Sequence, residues 1–421
     1  MAKNNHISVY IFDKEVGKIG YDENRNASFF QYHSAFLNDD TYLNLFPLII
    51  RKQPQTQVFD RYNNSTFRGL PPMIADSLPD MFGNLVFKTW LEQQNKTFQE
   101  ISVLEQLAYV GERGMGALEY KPNKDLPANT TINIDEMAEV ARLVLENKQE
   151  TAGDALDNTS LLNIFKIGTS AGGVGPKILI SENKATGKII PGDLGYSDDY
   201  DHYLVKLGIN EGLSYSKELI EYSYYLTARA LGIEMMDSKL VGDKHFATLR
   251  YDRQNGQKIH VLTACGIAGW DFKDPKVSSY ENLFDLALFL KLPHQDIEAI
   301  FRRMVFNLTF ANKDDHLKNH SFCFDPGTNK WRLSPAYDLT YLLNPLLNFT
   351  RAQHVLSVNG KRIDIKLDDV LTIADKYTVK NPTGVIREIK DGIDAWRQYA
   401  KGLEIPQQII TAIERSFIKL T

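Results

Sequence analysis

At 421 residues the chain is long for one core, so two or three domains are expected. Hydrophobic content of 43% and charged content of 24% are ordinary globular values, and a formal net charge of −5 argues against a dominant nucleic-acid surface. The two cysteines, Cys265 and Cys323, form no CxxC, so neither a disulfide framework nor a zinc site is supported. The N-terminus, MAKNNHISVY, has no apolar core of signal-peptide length, and no apolar run approaches a membrane span; a soluble cytoplasmic protein without membrane contact is expected.

In chain order, residues 7–12 read as a strand, DKEV as a turn and residues 17–20 as the start of a return strand. Alternation recurs at 27–32, so the first hundred residues form a strand-rich unit. A helix over 80–94 closes it, with apolar Phe82, Leu85, Val86, Trp90 and Leu91. Residues 122–134 are a polar loop before a helix over 135–147, and 149–160 is a connector. From Ile164 the character changes: strand FKIG, a glycine-rich turn over 168–177, return strand ILIS, turn ENKATG, then strand 202–207 carrying Lys206. A helix over 216–231 follows, with Ile220, Tyr224, Thr227 and Leu231 on one face. Ser214 or Ser216 caps its start and Gly232 suits its end. Strands fall at 238–240 and 246–251. Helices fall at 281–290, 295–311, 385–400 and 407–419. Strands first and helices later predict an α+β protein with a two-lobed body.

The chemistry concentrates in residues 307–340, NLTFANKDDHLKNHSFCFDPGTNKWRLSPAYDLT. The helix ending near Ala311 delivers Asp314, and Asn319 follows five positions later. That is the interval of a protein-kinase catalytic loop, in which the Asp accepts the hydroxyl proton and the Asn binds Mg²⁺. The interval selects Asp314 over Asp315 as the base. A hairpin with Asp325-Pro326-Gly327 at its turn then returns the chain and presents Asp338 as the main Mg²⁺ ligand. His316 suits a structural hydrogen bond around the loop, and Lys318 can neutralise a transferring phosphate. Upstream, Gly168–Lys177 (GTSAGGVGPK) lets backbone amides approach phosphate oxygens, although it fits neither Walker A nor GxGxxG. Lys206 in an apolar strand needs a partner, and Glu221 on the next helix is the natural one.

These residues resemble the HipA family of serine/threonine kinases, the toxins of bacterial toxin–antitoxin pairs. DDHLKNHSF followed by SPAYDL is similar to that family's catalytic and metal-binding motifs, and GTSAGGVGPK to its phosphate loop. LRYDR, the downstream His260 and the pattern from Glu221 to Ile233 also match, and GLPPMIADSLPDMFGN with LAYVGERGMGALEY looks like its N-terminal domain. The resemblance implies a two-lobed protein-kinase-like fold: a strand-rich N-terminal subdomain over 1–122, a portion like a kinase N-lobe over 123–255, and a helical C-terminal lobe over 256–421. It implies ATP and Mg²⁺. Asp314 would be the base, Asn319 and Asp338 the metal ligands. Lys206, Glu221, Ser170, Ala171, Gly172, Gly173, Lys177, His316 and Lys318 would lie around ATP. It implies autophosphorylation of Ser170. Separately, the added charge of a phosphate there favours a position near Lys or Arg groups, including Arg250 or Arg253 if they are close. A helix-turn-helix, HipB-like antitoxin that carries the contact with DNA is the implied partner, and an aminoacyl-tRNA synthetase the implied substrate. Gly175-Pro176 stands where the family commonly has Gln-Glu before the lysine. Two other readings compete: a metal-dependent phosphoesterase built on Asp314, Asp315, His316 and a further Asp, and a non-catalytic corepressor subunit.

Overall fold

Apolar residues at every second position of His6–Ile11 put Ile7, Val9 and Ile11 on one buried face, and this strand (β1) organises the first sheet. The structure is a computed structural model that describes residues 6–79, 81–93, 101–123, 133–146, 175–192, 197–209, 214–344, 349–350 and 352–420. The chain divides into two units. The first holds residues 1–209, 247–262 and 324–329, and the second holds 210–246, 263–323 and 330–421.

In the first unit, β1 pairs antiparallel with β2 (Lys14–Asp22), which pairs with β3 (Ala27–Tyr32). Short β4 (Gln57–Val58) and β5 (Leu118–Lys121) complete the order β4-β3-β2-β1-β5. The helices expected here are Met81–Gln93 and Ile134–Glu146. A third, Val103–Val110, was not anticipated, although Ser102 and Glu105 spell a capping box that the structure makes in both directions. A second sheet sets β7 (Ile189–Pro191) beside β6 (Lys177–Asn183), and β6 beside β8 (Tyr200–Lys206). The expected strand at 164–167 and most of the glycine-rich turn, Ser170, Ala171, Gly172 and Gly173 included, lie outside the described residues.

A buried charge cluster locks this unit. Asp252 receives Arg250 Nε and Nη2 at 2.9 and 2.8 Å and Arg253 Nη1 at 2.8 Å, with all three side chains at most 1% exposed. Its Oδ2 also accepts from the Gly116 amide at 2.8 Å, while Arg253 donates to the Gly114 and Gly116 carbonyls. Gly116 takes φ +75°, and an added Cβ would press on the Val261 backbone at 3.1 Å, so only glycine serves there. The expectation that Arg250 or Arg253 receives a loop phosphate therefore fails. Both guanidiniums are sealed from solvent and committed to Asp252.

In the second unit, helix Lys217–Ala230 is capped by Ser216, whose Oγ accepts from the Leu219 amide at 3.2 Å. Gly232 (φ 72°) ends it, with the Ile233 amide reaching back to Ala228 at 2.9 Å. Helix His294–Thr309 stops short of the expected Ala311, because Ala311 turns left-handed at φ 52°. Tyr224 joins these helices by donating to the Phe310 carbonyl at 2.7 Å. Its ring meets Phe306, Phe310 and Trp396 edge-on, the last from helix Pro382–Gly402. Helix Tyr280–Phe289 was expected one residue later, and Leu367–Lys376 was not expected at all. The last helix covers only Gln407–Glu414. Beyond it the Phe417 ring drops onto Phe310 and Trp396, with centroids 5.1 and 4.9 Å away, and this packing replaces further helical turns.

No helix among the described residues is long and apolar enough to cross a membrane. Two outcomes are expected. Asp252→Asn strands two buried guanidiniums and destabilises the protein by about 3–5 kcal/mol, read as a lower urea midpoint. Burial pushes His260 down from 6.5 to about 3, so the unfolded chain takes up the proton first. Burial raises the Asp252 carboxyl, but the two arginines outweigh it and hold it far below the usual carboxylate range. The His260 contribution is complete above pH 6.5 and lost as pH falls toward 3, while that of Asp252 is lost only as pH falls through and below the ordinary carboxylate range, which urea melts at stepped pH will show.

Candidate active site

The site grows from the exit of helix His294–Thr309. After left-handed Ala311, the Asn312 amide returns to the Asn307 carbonyl at 2.9 Å and the chain enters an extended stretch. The two adjacent aspartates then face opposite environments. Asp315 is sealed at 0% side-chain exposure, whereas Asp314 is 30% exposed.

Asp315 is saturated with partners. Its Oδ1 accepts from the Val355 and Leu356 amides at 2.9 and 3.2 Å. Its Oδ2 accepts from the Tyr280 hydroxyl at 3.0 Å and lies 3.1 Å from His354 Nδ1. Burial alone would push this carboxyl up, but His354 and the hydrogen bonds from His354, Leu356 and Tyr280 hold it below its ordinary range. Burial, with the Asp315 charge, raises Tyr280 well above its ordinary value and keeps the hydroxyl a donor.

The loop that follows braces itself. The Asp314 carbonyl accepts from the His316 amide at 2.8 Å and from Asn319 Nδ2 at 3.0 Å, and residues Leu317–Asn319 form one 3₁₀ turn. The five-residue interval thus closes on itself through the Asn319 side chain. His316 Nε2 lies 4.0 Å from Asp314 Oδ2. Burial lowers the His316 pKa against the opposing charges of Asp314 and Asp338, with Lys318 adding to the lowering, so all three side chains act on that ring. Lys318 holds its ammonium 5.3 Å from the Phe272 ring centroid.

The hairpin of Ser321–Asp325 and Lys330–Leu333 brings the chain back as expected. Tyr337 donates to the Lys318 carbonyl at 2.8 Å and shares a short hydrogen bond with Ser321, tying the returning segment to the loop. Asp338 follows in the left-handed region at φ 54°. Its carbonyl accepts from Asn312 Nδ2 at 3.4 Å, which also donates to Asn307 Oδ1 at 2.9 Å. Asn307 Nδ2 in turn donates to Tyr280 Oη at 2.9 Å. A chain of neutral groups therefore links Asp315 to Asp338. Asn312, Asp315, Asn319, His320, Tyr337 and Asp338 line a cavity of about 10 Å³, room for about one water-sized occupant. Among the described residues no group of three or more His, Cys, Asp or Glu side chains is placed to hold a metal. Mg²⁺ needs few protein ligands when phosphate and water supply the rest, so an Asp and an Asn fit it.

In the first unit the antiparallel register sets Lys177 directly opposite Lys206, and the Leu207 amide donates to the Pro176 carbonyl at 2.9 Å. Directly opposed residues share a sheet face, with Cβ atoms about 5 Å apart. The structure thus brings together the two lysines named from sequence as nucleotide contacts, one from each side of the strand pair. Sequence reasoning did not foresee this pairing, because the β6–β8 register is a long-range property. Glu221 is buried on helix Lys217–Ala230, in the second unit. Sequence reasoning also missed His354 and Tyr280, the partners of Asp315. Nothing in the local pattern 39 residues away marks His354.

The two aspartates should separate by experiment. Asp315→Asn puts an amide donor against Tyr280 and His354 and should cost about 3 kcal/mol of stability, read by urea unfolding. Asp314→Asn should leave the unfolding midpoint nearly unchanged.

The family profile described as "HipA-like C-terminal domain" matches residues 169–399, and that of the "HipA N-terminal domain" matches residues 7–121. The solved structure of the Shewanella oneidensis MR-1 toxin–antitoxin system HipA, HipB and its operator DNA complex superposes with a TM-score of 0.60 at 16% identity, over 97% of this chain and 95% of that one. A curated relative from Sinorhizobium fredii, named "Putative kinase Y4dM", is 22% identical over 217 residues. That match covers 46% of this chain and 52% of the relative, so the chain spans about half the length of the curated relative it matches. The mixed α+β, kinase-like fold expected from sequence is the one found, and the chain belongs to the HipA family.

Proposed function

We propose that the chain is an ATP-dependent serine/threonine protein kinase acting as a toxin. The observation that carries this reading is the division of labour at Asp314-Asp315. Asp315 is buried and saturated, so the loop is rigid, while Asp314 stays accessible beside a cavity lined by Asn319 and Asp338. A hydrolytic metal site built on the Asp-Asp-His run would need Asp315 as a ligand, and both of its oxygens are already occupied.

In this reading Lys177 and Lys206 hold ATP phosphates. The register places both on one strand pair, opposite each other, where one polyphosphate reaches both. Asn319 and Asp338 hold Mg²⁺, which when bound neutralises charge on the transferring phosphoryl group. Asp314 accepts the proton of the acceptor hydroxyl as its oxygen bonds to the γ-phosphorus and the bond to the ADP leaving group breaks. Lys318 stands on the same loop as a further positive charge, and Glu221 is the proposed partner of Lys206. Ser170, Ala171, Gly172 and Gly173 are the proposed phosphate loop, with Ser170 the autophosphorylated residue. We assign residues 1–122, 123–255 and 256–421 to the N-terminal subdomain, the N-lobe-like portion and the C-terminal lobe. A HipB-like antitoxin, through which DNA is contacted, is the proposed partner, by likeness to the solved toxin–antitoxin complex. An aminoacyl-tRNA synthetase is the proposed substrate, and the cytoplasm the proposed location.

Incubation with γ-labelled ATP and Mg²⁺ tests this. Label should enter the wild-type protein, fall by about 10²–10⁴-fold in Asp314→Ala, and be lost from the loop peptide in Ser170→Ala. No label on the wild-type chain or on any candidate synthetase would overturn the kinase reading.

A further inference from the structure

A second cleft is lined by His316 and shares no lining residue with the Asn319 and Asp338 cavity. Its volume is about 230 Å³. That is below the roughly 300 Å³ at which small-molecule sites begin, and large enough for one side chain with its water. Phe272, Lys273, Ser278, His316, His354 and Arg362 are among its walls. Because His316 lines this cleft and also stands 4.0 Å from the Asp314 carboxylate, the cleft is one ring's width from the proposed base.

Its charge is one-sided. No carboxylate is among its lining residues. Arg362 donates to three neutral acceptors, the carbonyls of Val355, Pro275 and Ser278, and makes no ion pair among the described residues, so its charge is undiminished. Lys273 is exposed at the rim, with its ammonium 5.7 Å from the Phe272 ring centroid. The nearby acids do not line the cleft, and each accepts a local amide: Asp271 from Lys273 at 3.0 Å and Asp274 from Lys276 at 2.9 Å. Asp315 lies beneath, already occupied.

Two buried polar atoms on these walls have no partner. His354 is 1% exposed and spends Nδ1 on Asp315, which leaves Nε2 without a hydrogen bond. His316 Nδ1 is in the same state. A buried polar atom left unpaired costs about 1–3 kcal/mol, and both rings belong to residues that line the cleft. The walls are themselves rigid, since Val355 is fixed by Asp315 and Ser278 by Arg362.

We propose that this cleft binds an acidic side chain of the acceptor polypeptide, one lying close in sequence to the serine or threonine that Asp314 deprotonates. The proposal rests on the kinase reading for its account of the polypeptide as acceptor. Its chemistry is an anion, a carboxylate or a phosphate monoester, held by Arg362 and Lys273, with the Phe272 face packing against the aliphatic stem. The cleft would therefore select substrates by a charge beside the acceptor residue.

Binding measured without ATP separates this proposal from the kinase reading. Three fluorescein-labelled peptides are titrated with the full chain and followed by anisotropy. Each carries a central Ala-Ser-Ala flanked on both sides by Glu, by Gln or by phosphoserine. The Glu and phosphoserine peptides should bind about ten-fold or more tighter than the Gln peptide. Lys273→Glu, at an exposed position, should erase that preference with an unchanged unfolding midpoint, and Arg362→Gln should also reduce it. Equal binding of Glu and Gln peptides would overturn the proposal, as would a preference that survives both substitutions. Inorganic phosphate binding as tightly as the Glu peptide would reassign the cleft to a free anion and overturn the polypeptide assignment. A chain that prefers the Glu peptide yet transfers no labelled phosphate would keep the cleft and reject the kinase reading alone.

Discussion

The Asp315 carboxylate accepts two backbone amides, a tyrosine hydroxyl and a histidine in a place closed to water. Four polar groups on two separate segments thus converge on one anion. In a low-dielectric setting each of those bonds is stronger than in water, and losing the anion would leave the others unpaired. The segment around Val355, helix Tyr280–Phe289 and the Asp314–Asn319 loop are therefore held in a single arrangement. Asp314 can project outward because its neighbour is anchored inward. An adjacent pair that looks redundant in sequence is one buried anchor and one partly exposed carboxylate.

That division was half legible. The five-residue interval pointed to Asp314 rather than Asp315, and the Asn319 side chain closing onto the Asp314 carbonyl gives the interval a physical meaning. The role of Asp315 was not legible, because its partners come from 35 to 41 residues away and carry no local pattern. Helix Val103–Val110 was legible through its Ser102 and Glu105 capping box but was passed over within an apolar segment. Helix Leu367–Lys376 begins with Lys366 as its N-cap, a residue that gives no start signal. Arg250 and Arg253 show the limit of reading charge from composition. Only three-dimensional burial reveals that their charges already belong to Asp252.

The two lysines of the first unit illustrate the reverse case. They lie 29 positions apart in sequence with nothing local to connect them, and the strand register makes them a pair. Register follows from which residues of β6 and β8 must face the core, so the position of this cationic pair is a by-product of packing Ile178, Ile180, Tyr203 and Val205 inward. The place of two like charges in the sheet is in this way specified by hydrophobic residues that carry no charge themselves.

The link from Asp315 to Asp338 runs through Tyr280, Asn307 and Asn312, a hydroxyl and two amides. None of these three changes charge in the range where the protein works. A spacer made of lysines and carboxylates would stretch and slacken with salt and acidity. This one transmits position alone, so the distance between the loop and its second acid is insulated from the ionic conditions that govern the groups at either end.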